Sequence, residues 1–341
     1  MNVYKYATDF PNPFGVSAIV STWGNNNLDW QKTIDQNYGI DLAFLNNHLK
    51  ITVDYFFKNT DPLLVYVQTP TSTGTSTVPM NLGKQVSQGV TATLNYMILQ
   101  REGISWNFNF NARHITYEYR NIGNALDKFN SDNRSSNLVR YYDGGSPSDL
   151  WAVRSAGIDP ASGQEVYIKK NGNYTFTYDK NERVEVGNTN PMLEGSLFTS
   201  LSYRGFTLNV TAAYKFGGDI YNTTLANKVE YIDPYGNVDR RAFTERWKKP
   251  GDLVRFLGIP ENVSDENRYS ERFVERDNTF AITSIMLNYE FKSDYLRKIG
   301  IKRLNLGIGV ADIARFSSVK QERGTEDPFQ RSFHITFRPT F

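Results

Sequence analysis

The sequence predicts an all-β protein: about nine antiparallel strands from the C-terminal portion of a transmembrane β-barrel, with long loops on one side. Three observations carry that prediction. Apolar and polar residues alternate with period 2 in segment after segment. The connections between those segments alternate between short and long, as they do where one side of a barrel faces a confined space and the other faces the medium. Aromatic residues cluster beside the short connections.

The segments run in order along the chain. Ile34, Tyr38, Ile40, Leu42 and Phe44 share one face, with Thr33, Asp35, Asn37 and Asp41 on the other. Leu49 to Phe57, Val90 to Ile98, Ile104 to Phe110 and Phe206 to Phe216 repeat the pattern. Leu197 to Tyr203, Ile285 to Phe291 and Leu304 to Val310 follow it less strictly, and Phe333 to Phe341 closes the chain with apolar odd positions. Each segment is near the 9–11 residues, roughly, that a tilted membrane strand needs.

Asn46-Asn47-His48, Gln100-Arg101-Glu102-Gly103 and Arg204-Gly205 read as tight turns, and Lys292 to Lys302 as a longer connection on the same side. On the other side stand polar stretches of about 30 residues from Lys58, about 80 from Arg113, about 60 from Gly217 and about 20 from Ala311. This places the long loops outside the cell and Phe341 on the periplasmic side. Phe44, Tyr96, Trp106, Tyr203, Phe206, Tyr289, Phe291 and Phe341 then form an interfacial girdle, where one end of a ring is apolar and the other wet. Within the first long stretch, Thr69-Pro70-Thr71-Ser72-Thr73-Gly74-Thr75-Ser76-Thr77 is low-complexity and loop-like.

Composition narrows the function classes. Of 341 residues, 14% are aromatic, more than a disordered chain carries. No apolar run approaches the ~18 residues of a membrane helix. Lys+Arg 38 against Asp+Glu 36 leaves a net charge of +2, which asks for no nucleic acid. There is no Cys, hence no disulfide framework or thiolate metal site. His48, His114 and His334 lie far apart with no metal-ligand spacing, and no GxSxG, P-loop or GxGxxG is present. The expectation is a chain with no catalytic, cofactor or metal residues. Gly307 and Gly309 read as small lumen-facing residues of a strand.

The N-terminus has neither a basic nor an apolar signal region. Nine strands is an odd number, and an open sheet in lipid leaves backbone groups unpaired. Residues 1–341 are therefore expected to be the last part of a larger barrel. The aromatics Tyr141, Tyr142, Trp151, Tyr167 and Tyr174 in the longest loop, with Phe176 and Tyr178, are candidates for stacking on sugar faces or for a partner surface. The stretch Arg240, Arg241, Arg246, Trp247, Lys248 and Lys249 is interleaved with Asp239, Glu245 and Asp252, and reads as a salt-bridged loop.

Several stretches resemble SusC/RagA-type TonB-linked outer-membrane proteins. They include Trp23-Gly24-Asn25-Asn26-Asn27-Leu28-Asp29-Trp30, Gly39-Ile40-Asp41-Leu42-Ala43-Phe44, Val53-Asp54-Tyr55-Phe56-Phe57-Lys58 and Asn81-Leu82-Gly83-Lys84. Gly157-Ile158-Asp159-Pro160 with Gly163, Phe216-Gly217-Gly218-Asp219, Asp239-Arg240-Arg241, Arg246-Trp247-Lys248-Lys249-Pro250-Gly251-Asp252 and Arg272-Phe273-Val274-Glu275 follow in the same order. Gln88, Thr91 and Asp312 depart from the pattern. The resemblance implies the Gram-negative outer membrane and import of a large nutrient, an oligosaccharide first and a peptide second. It implies a SusD-type surface lipoprotein as a lid, energy from the TonB complex through a plug outside this sequence, and a closing strand (Phe333, Ile335, Phe337, Phe341) met by the barrel-assembly machinery. The rival readings are an outer-membrane enzyme barrel, which needs clustered catalytic residues, and a secreted soluble carbohydrate-binding β protein, which needs the aromatic face buried between sheets.

Overall fold

The computed structural model describes residues 3–12, 15–69, 72, 74, 77–123, 126–127, 130, 140–232, 238–259, 269–291, 300–320 and 331–341. Most of the low-complexity stretch and most of the Lys292 to Lys302 connection lie outside the described residues. A hairpin of β1 (Val3–Asn12) and β2 (Gly15–Thr22) comes first. Next come β3 (Lys32–Phe44), β4 (Leu49–Asp61), a second hairpin of β5 (Leu64–Gln68) and β6 (Thr77–Asn81), then β7 (Lys84–Arg101) and β8 (Ile104–Arg120). A four-stranded sheet of β9 (Asp149–Ile158), β10 (Glu165–Ile168), β11 (Tyr174–Thr175) and β12 (Arg183–Asn188) follows. The chain then runs through β13 (Leu193–Tyr203), β14 (Phe206–Tyr221), β15 (Val274–Phe291), β16 (Arg303–Ser317) and β17 (Ser332–Thr340).

Nine of these strands form one antiparallel meander in the order β17-β16-β15-β14-β13-β8-β7-β4-β3. They are the nine segments that alternation picks out. Their lengths differ from the expectation: β7 and β15 reach 18 residues. The extra length lies at the long-connection end, where polar residues such as Glu118, Arg120, Glu275 and Arg276 take over and alternation no longer marks the strand. Among the described residues β3 pairs only with β4 and β17 only with β16, so the sheet is open on both sides.

The register explains why one face is apolar. Leu201, Leu208, Leu287, Ile308 and Ile335 stand opposite one another across five strands, and Phe206, Tyr289, Leu306 and Phe337 form a parallel row. Nothing among the described residues covers these rows: Ile308 is 61% and Ile335 83% exposed. Aqueous monomers rarely expose apolar patches beyond a few hundred Å², so such a face suits a solvent of low polarity. The Trp106 indole on this face is paired, as lipid favours: it donates to Thr199 Oγ1 at 2.8 Å. The opposite face carries Asn95, Asn107, Asn109, Asn111, Ser200, Asn209, Asn288 and Asn305, linked by bonds such as Asn111 Nδ2 to Ser196 Oγ at 2.6 Å.

The short turns follow from local chemistry. Arg204 and Gly205 both have positive φ, the requirement of a two-residue type I′ hairpin. Leu45, Asn46 and Asn47 hold three consecutive left-handed conformations, which asparagine tolerates best among non-glycines. Beside these turns Phe206 packs on Tyr289, and Tyr289 on Phe291, each at 4.4 Å between ring centroids. Gly309 faces His334 across β16 and β17, and a Cβ there would run into the imidazole. Gly309→Val is therefore expected to destabilise the sheet by about 1–3 kcal/mol, read as a shift of the urea midpoint in lipid vesicles.

The long connections correct the expectation of plain polar loops. They hold β5 and β6, β9 to β12, and both clusters of buried apolar residues. Leu150, Tyr221, Leu225, Val229, Phe256 and Phe273 form the larger cluster. These strands are short, and their apolar residues come from distant segments, so no single window of sequence shows a period.

Candidate substrate-facing and partner-facing surface

The module at the long-connection end is built on β9. The turn into β10 is tied by Asp159, whose carboxylate accepts from the amides of Ala161 at 3.3 Å and Ser162 at 3.0 Å. The Ser162 hydroxyl, helped by those amides, holds its carboxyl below the usual range. Gly163 closes the turn with φ +70. On the other edge of β9, β12 pairs from Asp149 to Val153.

The stretch 239–252 clamps onto this turn. Arg246 is buried and donates to four carbonyls: Ala242 at 2.9 Å, Gly258 at 3.2 Å, and Val229 and Glu230 at 2.6 Å each. Its guanidinium thus satisfies backbone oxygens that the short helical turns at Ala226–Glu230 and Arg241–Thr244 leave unpaired. The Trp247 indole donates to the Pro160 carbonyl at 2.9 Å, and its ring lies against Gly163, where a Cβ would collide with it. The Gly251 amide also reaches Pro160 O at 2.9 Å. Asp252 accepts from the amides of Lys248 at 3.1 Å and Lys249 at 3.0 Å, and Asp239 pairs with Arg241 at 3.0 Å. Arg240 and Pro250 remain exposed.

Gly163→Val should therefore unseat Trp247. The expected readout is faster proteolysis between residues 239 and 252, with the nine-stranded sheet unaffected.

Below the clamp lies an ionic triad. Arg272 Nη2 stands 2.8 Å from Glu165 Oε2 and 2.7 Å from Glu230 Oε1, with both carboxylates almost fully buried. The Ser270 hydroxyl also donates to Glu165. Burial pushes Glu165 up, but the Arg272 hydrogen bond and charge, with Ser270, outweigh it and hold the carboxyl below the usual range. For Glu230 burial dominates over Arg272, and its carboxyl is raised. Arg272 is raised, since the two carboxylates outweigh the burial that would lower it. Sequence reading singles out Arg272 within a motif but misses Glu165 and Glu230. They are 107 and 42 residues away from it, and no local pattern links them.

The loop aromatics are spread through the module. Tyr142 packs edge-on against Trp151 at 4.8 Å, Tyr119 against Tyr141 at 5.3 Å, and Tyr167 against Tyr178 at 5.4 Å. Tyr167 is buried, whereas Tyr141, Tyr142 and Trp151 are half-buried. Tyr174 is 70% exposed, and Phe176 beside it is open as well. At the far edge of the sheet, Phe333, Ile335, Phe337 and Phe341 all stand exposed. Among the described residues no three His, Asp or Glu converge as a metal site.

The family model for the TonB dependent receptor-like β-barrel matches residues 3–311. TonB-dependent receptor P39 of Formosa agariphila is 24% identical over 344 residues, covering 86% of this chain and 33% of that protein. TonB-dependent receptor SusC of Bacteroides thetaiotaomicron is 22% identical over 301 residues, covering 84% of this chain and 28% of that protein. Among solved structures, the RagAB peptide transporter superimposes with a TM-score of 0.77 at 17% identity, covering 94% of this chain and 35% of that one. The chain thus spans about a third of the length of the relatives it matches.

Proposed function

From the premise that this chain belongs to the TonB-dependent receptor-like β-barrel family, we propose that it forms the C-terminal part of the barrel wall of an importer for a large nutrient. Its place is the Gram-negative outer membrane, the location of SusC/RagA-type proteins. The observation that carries the reading is the uncovered apolar face of the nine-stranded sheet, with the folded module standing at one end only. The apolar face meets lipid, the asparagine-rich face lines the lumen, and the module faces the outside.

An oligosaccharide is the first substrate class. The solved RagAB structure is described as a peptide transporter, and this supports a peptide as the second. A SusD-type lipoprotein acts as the lid over the module, where Phe243, Leu253 and Ile259 are exposed. The TonB complex supplies energy through a plug beyond this sequence. An enzyme barrel finds no support in the family, whose members are receptors and transporters.

A strain lacking the gene should fail to grow on one class of oligosaccharide or peptide, while growing normally on its monomers. Loss of TonB should give the same defect. A strain indistinguishable from its parent across the whole panel would contradict the reading. Tyr174 carries the open aromatic face of the module. Tyr174→Ala is expected to weaken substrate binding about threefold to tenfold, the worth of one stacked ring, measured by calorimetry on the solubilised protein.

A further inference from the structure

On the lumen face, at the outer margin of the sheet, lies a depression of about 540 Å³. Its floor is made by Ala213 and Ala281, which stand opposite each other on β14 and β15. Two small side chains in register leave room beside the long side chains of Lys215 on β14 and Arg315 on β16. The walls are charged and alternate in sign from strand to strand. Arg113 on β8 meets Glu194 on β13 at 2.8 Å, Lys215 on β14 meets Asp277 on β15, and Arg315 stands opposite Ala281 on β16.

Three cations thus surround two carboxylates, and both carboxylates are engaged. Glu194 is taken by Arg113, and Asp277 by Lys215 and by the Thr279 hydroxyl at 2.6 Å. Arg315 is exposed and lines the depression, and its charge also acts on Asp277, whose carboxylate Lys215 and Thr279 already hold. Asn111 and Thr279 also line it and add neutral hydrogen-bonding groups.

The height is equally specific. Arg113 lies nine residues along β8 from Ile104 at the short turn, roughly 30 Å along the strand at ~3.3 Å per residue. With a tilt of about 40° that is the outer edge of an apolar band about 25 Å tall. The depression therefore sits on the wall where a substrate would leave the module and enter the lumen.

We propose that this depression is a subsite for a carboxylate of the transported substrate, with Arg315 as the residue that reads it and Ala213 and Ala281 as the floor that admits it. Guanidinium groups bind carboxylates through two parallel N–H donors, and the flanking pairs hold the wall while the Arg315 side chain stays exposed. The inference rests on the importer reading and narrows its substrate to one bearing carboxylates, either uronate units of an acidic oligosaccharide or the acidic and terminal groups of a peptide.

The test is calorimetry on the full-length detergent-solubilised protein with four probes: hexagalacturonate, maltohexaose, a hexapeptide with a free C-terminus, and the same peptide amidated. Binding of hexagalacturonate over maltohexaose assigns the uronate source, and binding of the free peptide over its amide assigns the peptide source. In either case Arg315→Gln should weaken the carboxylated probe about tenfold or more, Arg315→Lys should recover part of the loss, and unfolding of the heat-modifiable barrel should be unchanged. The proposal is overturned if neither carboxylated probe binds, if carboxylated and neutral probes bind alike, or if Arg315→Gln binds them as the parent does. An uptake phenotype of the gene deletion that is indifferent to Arg315→Gln would leave the importer reading standing and remove only the subsite.

Discussion

Leu287→Arg is expected to destabilise the sheet in a bilayer by about 2–4 kcal/mol, the cost of a cation on the lipid face of a barrel near the midplane. Leu287 belongs to the row Leu201, Leu208, Leu287, Ile308 and Ile335, set by the strand register. It lies four residues from the short-turn end of β15, near the middle of the apolar band. The guanidinium would have to snorkel past one or two residues of apolar wall to reach water. Asn209→Arg at a half-buried position on the opposite, polar face of β14 is expected to cost about 0.5 kcal/mol. Urea titration of the intact protein in lipid vesicles separates the two. Equal effects at both positions would mean that the two faces meet the same solvent.

The second large effect belongs to Arg272. Removing the guanidinium with Arg272→Ala leaves Glu165 buried without its counter-charge and Glu230 with only the charge of Arg246. Breaking a buried pair in this way costs about 3–5 kcal/mol. The loss should fall on the module, seen as faster amide exchange in 149–158 and 226–232, with exchange in β13 to β17 unchanged. Replacing all three by apolar residues, Glu165→Leu, Arg272→Met and Glu230→Leu together, should recover part of that loss, because none of the triad's buried charges remains.

The two carboxylates also give the module opposing pH dependences. The Glu165 carboxyl is held below its ordinary value near 4.5, so between that value and the folded one the unfolded chain binds more protons. Stability from Glu165 is complete at neutral pH and falls as pH drops below about 4.5. The Glu230 carboxyl is raised, so the folded state binds the extra proton and its share falls as pH rises through the raised value. Glu165→Gln should weaken the module at neutral pH and flatten the acid limb of the exchange profile. An acid limb as steep as the parent's would show that another carboxylate causes it.

The membrane-spanning sheet was legible in the sequence because each strand carries its own signal. Phe333, Ile335 and Phe337 alternate within one short window, and a strand with lipid on one side and water on the other must do so. Turn chemistry at Asn46-Asn47 and Arg204-Gly205 then orders the strands, since short hairpins leave no topological choice. The β1 and β2 hairpin and the sheet of β9 to β12 escaped the same reading. Their strands alternate weakly, and what stabilises β9 to β12 comes from far away: Trp247 on Pro160, Arg246 on Val229, Arg272 on Glu165. The resemblance to SusC/RagA-type proteins marked Arg246, Trp247 and Gly163 without giving their task, which the structure assigns to holding one turn against another. The aromatic loop residues were legible as residues but not as surfaces. Tyr167 and Tyr174 look alike in sequence, yet one is buried and the other open.

The most direct measurement is the accessibility of spin labels placed one at a time along β14 to β16 in the intact protein reconstituted in vesicles. Labels at Leu208, Leu287 and Ile308 should collide with dissolved oxygen and be shielded from a water-soluble nickel chelate, while labels at Asn209, Asn288 and Asn305 should show the reverse or be shielded from oxygen. Labels at Leu208, Leu287 and Ile308 that are shielded from both reagents would place those side chains in a protein core and contradict a lipid-facing wall.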